Sequence, residues 1–466
     1  VAIGRQAIGL GLLTGTNNIA IGYQAGYDLT SGDYNILSGF QAGSNVTTGT
    51  GNIFQGNEAG EFATTASYGI AIGHTAIGSG VMTGDDNIAI GRIAGHDLTS
   101  GTYNILQGYF AGANATTADH TVAIGRSAIG SGVLTGTDNT AIGYLAGEDL
   151  TSGAYNVFTG HRAGSNATTG DNNVGIGRYA MGVGVLTGTE NTAIGYGAGQ
   201  DLTTGSRNNF MGFQAGYNIT TGTGNIISGY QAGEFATTAN YGIAIGYSAI
   251  GLGVMTGSDN TAIGRSAGQD LTSGTYNNFM GYNAGGNATT LDYSIAIGYS
   301  AMGTGVVTGT DNIAIGRLAG QDLTSGTYNN FMGYNAGVNA TTGDNNIAIG
   351  REAIGLGVLT GDQNIAIGRL AGYDLTSGAY SNFMGYQAGY NVTTGDYNIF
   401  EGFQAGVNAT TGSSNIAIGR SAVGLGVLTG TSNVAVGYSA GYDLTSGNYN
   451  VFMGFVAGGN VTTGAD

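Results

Sequence analysis

The chain of 466 residues contains no cysteine, no proline, no tryptophan and no lysine. Without cysteine it can form neither a disulfide bond nor a thiol-based site. Without proline, and without glycine at every third residue, it cannot be a collagen. No stretch approaches the length of about 18 apolar residues that a transmembrane helix needs, so we expect no such helix.

Basic side chains are also scarce. The chain carries 11 arginines against 28 acidic residues, which gives a formal net charge of −17. An acidic protein repels the phosphate backbone of nucleic acids and the anionic surface of membranes. We therefore expect no nucleic-acid partner.

Glycine and apolar residues are what the chain has in quantity. Glycine accounts for 93 residues, 41% of the chain is hydrophobic and 28 residues are tyrosine. Disordered segments have few aromatic and β-branched residues, and each glycine inside a helix costs about 1 kcal/mol. The composition predicts an all-β protein with glycine at the turns.

The sequence repeats a unit of 17 residues with a variant of 18. Three kinds of unit alternate: TVAIGRSAIGSGVLTGTD at 121–138, NTAIGYLAGEDLTSGAY at 139–155 and NVFTGHRAGSNATTGDN at 156–172. Some triplets gain a fourth unit, at 52–68, 225–241 and 398–414. Counted from the first residue of each unit, position 5 is glycine and position 8 is alanine in all 27 units.

Short apolar runs bounded by glycine are typical of strands in a β-solenoid. We predict a parallel β-solenoid of 27 coils of 17–18 residues, in which each strand pairs with the neighbouring coils at about 4.8 Å. Residues 1–466 would form a single continuous array. Neither end resembles the capping unit that repeat proteins need for solubility, so we expect a segment of a longer fibre protein.

The strand residues predict how the coils pack. Position 3 is small in the first two kinds of unit and large in the third, which predicts interdigitation in a dense core. The small examples are Ala20, Ala89, Ala141 and Gly175; the large ones are Leu37, Leu106, Phe158, Phe210, Phe279, Phe331, Phe383 and Phe452. Positions 2 and 4 are also mostly apolar, and alternate side chains point to opposite faces. We expect the outer face to meet another chain, although a wide coil could bury both faces.

The phrases NIAIG, NTAIG and NVAVG resemble the head repeats of YadA-type trimeric autotransporter adhesins. A closer likeness is to 17-residue β-solenoid arrays of bacterial surface proteins and phage tail fibres, which NTAIGYLAG at 139–147 and NATTG at 166–170 match in style. The resemblance covers essentially the whole chain. It implies a left-handed solenoid, a trimer of identical chains and an extracellular fibre.

Nine Asn-x-Thr sequons occur in the third kind of unit and in the additional units. They are candidate glycosylation sites, but asparagine also suits a turn by bonding its own backbone, which is the interpretation we favour. The nine are Asn45, Asn114, Asn166, Asn218, Asn287, Asn339, Asn391, Asn408 and Asn460.

Aspartate takes the same turn position, position 11, in the second kind of unit, which raises the question of calcium. Calcium-binding β-rolls use dense Gly- and Asp-rich nonapeptides, and none occurs here. The aspartates recur only every third or fourth coil, about 15 Å or more apart, so two of them cannot share an ion. They are Asp28, Asp97, Asp149, Asp201, Asp270, Asp322, Asp374 and Asp443.

Neither metal binding nor catalysis is indicated elsewhere. The four histidines, at 74, 96, 120 and 161, fall at different positions and without metal-ligand spacing. No nucleophile, histidine and acid can be grouped into a catalytic set. We predict no metal, no cofactor and no enzymatic activity.

Two further surfaces are candidates for binding. Threonine pairs such as those in NATTG suggest an ice-binding face, but adjacent residues point in opposite directions, which predicts an irregular ladder. Arginine recurs with tyrosine at position 6, which indicates either a recognition stripe for acidic sugars or a partner chain, or an exposed corner with ion pairs. The stripe comprises Arg92, Arg126, Arg178, Arg265, Arg317, Arg369 and Arg420, with Arg5 and Arg351 at the same position.

Together these features predict a non-enzymatic structural and adhesive solenoid of an extracellular fibre, which mediates attachment at a microbial cell surface. The expected partners are two further copies of the chain and a surface glycan or host-surface ligand. Two alternatives stay open: the shaft of a phage tail fibre, and a solenoid that binds ice or another surface.

Overall fold

A computed structural model describes residues 1–9 and 12–464. The described residues contain no helix and form 27 short strands, one in each coil, which confirms an all-β parallel solenoid. The chain divides into two compact units, Val1–Thr238 and Ala239–Asp466.

In the first unit the strands are β1 (Ala2–Ile3), β2 (Ile19–Ile21), β3 (Ile36–Ser38), β4 (Ile53–Gln55), β5 (Ile70–Ile72), β6 (Ile88–Ile90), β7 (Ile105–Gln107), β8 (Val122–Ile124), β9 (Thr140–Ile142), β10 (Val157–Thr159), β11 (Val174–Ile176), β12 (Thr192–Ile194), β13 (Asn209–Met211) and β14 (Ile226–Ser228). In the second unit they are β15 (Ile243–Ile245), β16 (Thr261–Ile263), β17 (Asn278–Met280), β18 (Ile295–Ile297), β19 (Ile313–Ile315), β20 (Asn330–Met332), β21 (Ile347–Ile349), β22 (Ile365–Ile367), β23 (Asn382–Met384), β24 (Ile399–Glu401), β25 (Ile416–Ile418), β26 (Val434–Val436) and β27 (Val451–Met453).

Within each unit every strand pairs in parallel with the strand of the next coil, and like positions face each other. Ala20 lies opposite Leu37, and Ala262 lies opposite Phe279. Position 3 of one coil therefore contacts position 3 of the next throughout. The 17- and 18-residue units keep the same strand register, because the additional residue is accommodated outside the strand.

Glycine at position 5 ends each strand because no other residue fits there. Gly22 has a φ of +134°, a conformation that L-residues with a Cβ rarely adopt. A Cβ at Gly22 would also overlap the carbonyl group of Gly39 in the next coil. The positive φ recurs at this position along the chain, and the close approach recurs in other coils, such as at Gly143 and Gly316, whereas Gly454 of the last coil has no atom within 4 Å of a Cβ. These conditions account for glycine at this position.

The core runs through the middle residue of each strand. Ala20, Leu37 and Phe54 are fully buried, while the residues on either side of them face outward. Large side chains fit because position 9 near them is glycine: a Cβ at Gly43 would lie 2.8 Å from Leu37 Cδ2. The predicted interdigitation of large and small residues is confirmed.

Candidate functional surfaces

A buried ladder of asparagine amides runs beside the strands at position 1. Asn156 illustrates it: its backbone N–H donates to Asn139 Oδ1 at 3.0 Å, and its Nδ2 donates to the carbonyl of Gly170 at 2.8 Å. Its own Oδ1 accepts the backbone N–H of Asn173 at 2.9 Å. This amide thus joins three coils and leaves none of its buried polar groups unpaired.

The sequence pattern alone did not predict this ladder, since the asparagine of position 1 stood out there only as the first residue of the NIAIG phrase. The signal was present, because from Asn18 onward position 1 is asparagine in most units. The exceptions are small residues, namely Gly69, Thr121, Gly242, Ser294 and Ser381. In a sequence, a polar residue that recurs next to an apolar run usually indicates a turn. Only the structure shows that it is buried.

The outer face of the strands is mostly apolar and is open, with single polar residues such as Gln55, Asn278 and Glu401 in some coils. Positions 2 and 4 are half-buried or exposed in the strands of both units. In the first unit Ile21 is 42% exposed and Met211 48%, and in the second unit Ile245 is 38% exposed. A single chain therefore buries one face of its strands and leaves the other uncovered.

The sequon asparagines use their side chains to bridge coils. Five of them lie in coils that precede an 18-residue coil, and there the Nδ2 donates to a backbone carbonyl of that longer coil, as Asn166 does to Val183 at 2.7 Å. The same bond is made by Asn114, Asn287, Asn339 and Asn408. Asn391 donates instead to Asn408 Oδ1 at 3.0 Å. Asn45, Asn218 and Asn460 occupy the same corner position. These bonds supply a structural role for the sequons, and their glycosylation stays a prediction.

The aspartates at position 11 occupy single sites in separate coils. No group of three or more His, Asp or Glu residues that could hold a metal ion occurs in the described part of the chain. Burial raises the pKa of the carboxyl groups of Asp201, Asp270 and Asp374 above the usual value. Asp374 Oδ1 is buried without a hydrogen-bond partner.

Exposed hydroxyl groups form a regular column, which differs from the irregular ladder expected from the threonine pairs. Of each pair, the first threonine is half-buried and its hydroxyl bonds the next coil, as Thr30 Oγ1 donates to the carbonyl of Thr47 at 3.0 Å. The second residue of the pair is exposed. In an 18-residue coil a threonine lies at the same place, as Thr135 does next to Ser152 of the following coil. Every coil carries a serine or threonine at this place, from Thr14 to Thr238 in the first unit and from Thr256 to Thr463 in the second.

The arginines of the predicted stripe lie exposed at position 6, and each stacks on at least one aromatic ring. Arg126, Arg265, Arg317 and Arg420 lie between rings of the two neighbouring coils. The guanidinium carbon of Arg126 lies 5.8 Å from the ring centre of Tyr109 and 5.6 Å from that of Tyr144. Arg317 lies 5.6 Å from Tyr299 and 5.7 Å from Tyr334. Similar contacts are made by Arg92, Arg178, Arg265, Arg369 and Arg420. Where two successive coils both carry tyrosine or phenylalanine at this position, the rings stack directly, as Tyr196 does on Phe213 and Tyr282 on Tyr299.

Few of the arginines are paired with acids. Among the described residues, arginine ion pairs occur at Arg207 with Glu190, 2.9 Å apart, and at Arg351 with Glu352, 3.4 Å apart. The seven arginines of the predicted stripe form none. The interpretation of position 6 as an ion-paired corner is therefore wrong for these seven residues.

No protein-family model matches the sequence, and no curated protein matches it. Nor do the described residues include a helix that could span a membrane. The surfaces described above therefore carry the functional argument.

Proposed function

We propose that the chain is a structural and adhesive β-solenoid of an extracellular fibre, built from three identical chains and active in attachment at a microbial cell surface. The observation that carries this proposal is the open apolar outer face of the strands. Soluble monomers rarely expose contiguous apolar patches larger than a few hundred Å². In the second unit, isoleucine or methionine occupies position 4 in nine successive coils, from Ile245 to Met384, so this apolar face extends from coil to coil.

A second copy of the chain is the partner that this face fits best. Full burial of an isoleucine side chain contributes about 1.5–3 kcal/mol, so covering a side chain that is already half-buried adds about 1 kcal/mol. A dozen such residues would offset the cost of association, which is about 4–15 kcal/mol. An identical chain supplies an equally long face with the same spacing between coils.

The interior suits a mechanical role because each coil is tied to the next at several points. Strand hydrogen bonds, asparagine amides and threonine hydroxyls all cross between coils. Few of these bonds depend on charge, so salt should weaken them little.

The assembly can be tested by light scattering and by cryo-EM of the purified chain. We expect a mass of three chains and three solenoids in one cross-section. Replacing Ile245, Ile297 and Ile349 with threonine, which occurs naturally at position 4 as Thr159, should give single chains. The matched control replaces the same residues with valine and should keep the trimer. A wild-type chain that is monomeric at micromolar concentration would contradict the proposal.

Attachment itself needs a separate test. Beads coated with the chain should resist removal by flow from polysaccharide or cell surfaces better than beads coated with an unrelated acidic protein. Equal retention of both bead types would leave the chain a fibre without an adhesive role.

A second candidate, ice or surface binding, is favoured by the column of exposed hydroxyl groups. The test is inhibition of ice growth by the wild-type chain and by a variant with Ser273, Thr290 and Thr308 replaced by tyrosine. We expect the wild type to slow growth and the variant to slow it less. Unchanged ice growth in the presence of the wild-type chain would remove this candidate.

A further inference from the structure

We propose that the position-6 ladder of the second unit binds a linear acidic polysaccharide, and that Arg265, Arg317, Arg369 and Arg420 contact its anionic groups. This inference rests on the adhesive role proposed above and names the class of ligand. The ladder runs from Tyr247 to Phe455, one residue per coil.

The guanidinium groups of the ladder are held in place before any ligand arrives. Arg265 lies 5.5 Å from the ring of Tyr247 and 5.6 Å from that of Tyr282, in the coils on either side. Arg420 lies 5.3 Å from Phe403 and 5.8 Å from Tyr438. Stacking of this kind limits the rotamers of the side chain, which lowers the entropy cost of binding.

Stacking also decides which part of the ladder a ligand can reach. Tyr282 and Tyr299 stack with their ring centres 5.0 Å apart and planes 12° apart, and Tyr386 stacks on Phe403 at 5.1 Å. The faces of these rings are therefore occupied by neighbours, so a neutral sugar cannot stack on them. The edges remain open, and on arginine the edge carries the N–H donors that suit carboxylate and sulfate groups.

The four arginines assigned to the ligand keep unpaired charges, whereas Arg351 of the same ladder pairs with Glu352. Arg265, Arg317, Arg369 and Arg420 form no ion pair among the described residues, although the chain carries 28 acidic residues. Position 6 is not acidic in any of the 27 units. The acidic residues lie mainly in the later corners of the coil, so the arginines form a positive line on an otherwise acidic surface.

The spacing of the four arginines favours a polymer with sparse charges. They recur at every third coil of the second unit, about 14 Å apart at the usual strand spacing. A duplex nucleic acid carries one charge per about 1.7 Å and would be repelled by the acidic remainder of the chain. A polysaccharide with separated carboxylate or sulfate groups can engage several arginines at once, and linked contacts strengthen binding far beyond any single one.

The test measures binding of the full chain to immobilised polygalacturonate, dextran sulfate and neutral dextran by surface plasmon resonance. We expect binding to the first, the second or both, weakened by salt, and none to neutral dextran. The two acidic polymers distinguish carboxylate from sulfate recognition. The double variant Arg265→Gln and Arg317→Gln should bind about tenfold more weakly.

A charge-matched control separates the ladder from general electrostatics. Arg162→Gln with Arg207→Gln removes the same two charges away from position 6, and should change affinity less than about twofold. Arg265→Lys with Arg317→Lys keeps the charge but loses the planar stacking, and should fall between wild type and the glutamine variant. Circular dichroism checks that every variant keeps its fold.

Three outcomes would overturn the inference. These are no binding of the wild type to either acidic polymer, an equal loss in the ladder and control variants, and a change of mass in the ladder variant, which would assign the arginines to contacts between chains. Loss of polysaccharide binding by an intact trimer would leave the fibre proposal unaffected. A monomeric wild-type chain would contradict the fibre proposal, whatever it binds.

Discussion

The 17-residue and 18-residue coils fill the same core in two ways. In a 17-residue coil position 9 is glycine, such as Gly147 or Gly164, and the space beside it is taken by a large residue of a strand, such as Phe158. In an 18-residue coil position 9 is a buried large residue, such as Ile129, and position 3 of the same coil is small, as Ala123 is. Core volume is conserved although the coil length is not.

The second half of the coil shows the same compensation. Leu134 of an 18-residue coil is buried next to Ala115 of the preceding coil, and the two form an isolated β-bridge. The additional residue emerges just before it, where Val133 is 58% exposed. The longer coil therefore keeps the core column in register and places the excess on the surface. The length of a unit is less constrained than the sum of side-chain volumes in adjacent coils.

Overfilling a 17-residue coil should have the largest effect. Replacing Gly164 with isoleucine, the residue of an 18-residue coil, places a Cβ against the ring of Phe158 and imposes a φ of +57° on a β-branched residue. Overpacking and the backbone conformation together should cost about 2–5 kcal/mol. Thermal unfolding followed by circular dichroism measures the loss. Adding Phe158→Ala should recover part of it, and a double variant no more stable than the single one would refute the volume argument.

Emptying an 18-residue coil should cost nearly as much. Ile129 is fully buried with a φ of 46°, and Ile129→Ala should destabilise by about 2–4 kcal/mol. Ile129→Gly removes one more carbon but relieves the left-handed conformation, worth about 1–2 kcal/mol. We therefore expect the glycine variant to be no less stable than the alanine variant in urea unfolding. A much weaker glycine variant would show that packing alone governs this corner.

The asparagine ladder also distinguishes the coil types, since most of its interruptions fall in 18-residue coils. Asn156→Ala leaves the N–H of Asn173 and the carbonyl of Gly170 unpaired and should cost about 2–3 kcal/mol. Asn156→Ser should cost about half as much, because Ser294 Oγ accepts the corresponding bond from Asn312 at 3.2 Å. Chemical denaturation compares the two variants. Equal losses would mean that serine cannot replace the amide.

The converse change tests whether an interruption can be repaired. Thr121 occupies position 1 of an 18-residue coil, where its backbone N–H donates to Asn104 Oδ1 at 2.9 Å. Thr121→Asn would add an acceptor for Asn139 and a donor for the carbonyl of Gly136, and should stabilise the chain by about 1 kcal/mol. A lower unfolding midpoint would show that the longer coil lacks room for the amide.

The features of the fold that the sequence predicts are those that repeat at the same position of successive units. Glycine at position 5 and the large residues at position 3 recur in phase, so the solenoid, its coil length and its core could be predicted. The role of Asn156 could not, because a polar residue gives no sign of burial until its neighbours in other coils are known. The arginine stripe was visible as a column, but its stacking between rings, as at Arg126, depends on contacts between coils.

The smallest expected effect on stability concerns the aspartates at position 11 of the coils that follow an 18-residue coil. The hydroxyl of Thr304 donates to Asp322, whereas Leu356 takes the corresponding place before Asp374, whose Oδ1 has no partner. Burial raises the pKa of Asp374, so its ionised form disfavours the folded state above that pKa, and the penalty fades as the pH falls and the group is protonated in both states.

Asp374→Asn should therefore raise the unfolding temperature slightly at pH 7, and the gain should vanish below the ordinary aspartate pKa of about 3.9. Leu356→Thr should give a similar gain by supplying the missing donor. Asp322→Asn should give none, because Asp322 already accepts a hydrogen bond from the hydroxyl of Thr304. Thermal unfolding at pH 7 and pH 3 measures all three variants. A gain for Asp374→Asn that persists at pH 3 would trace the effect to packing of the amide rather than to the buried charge.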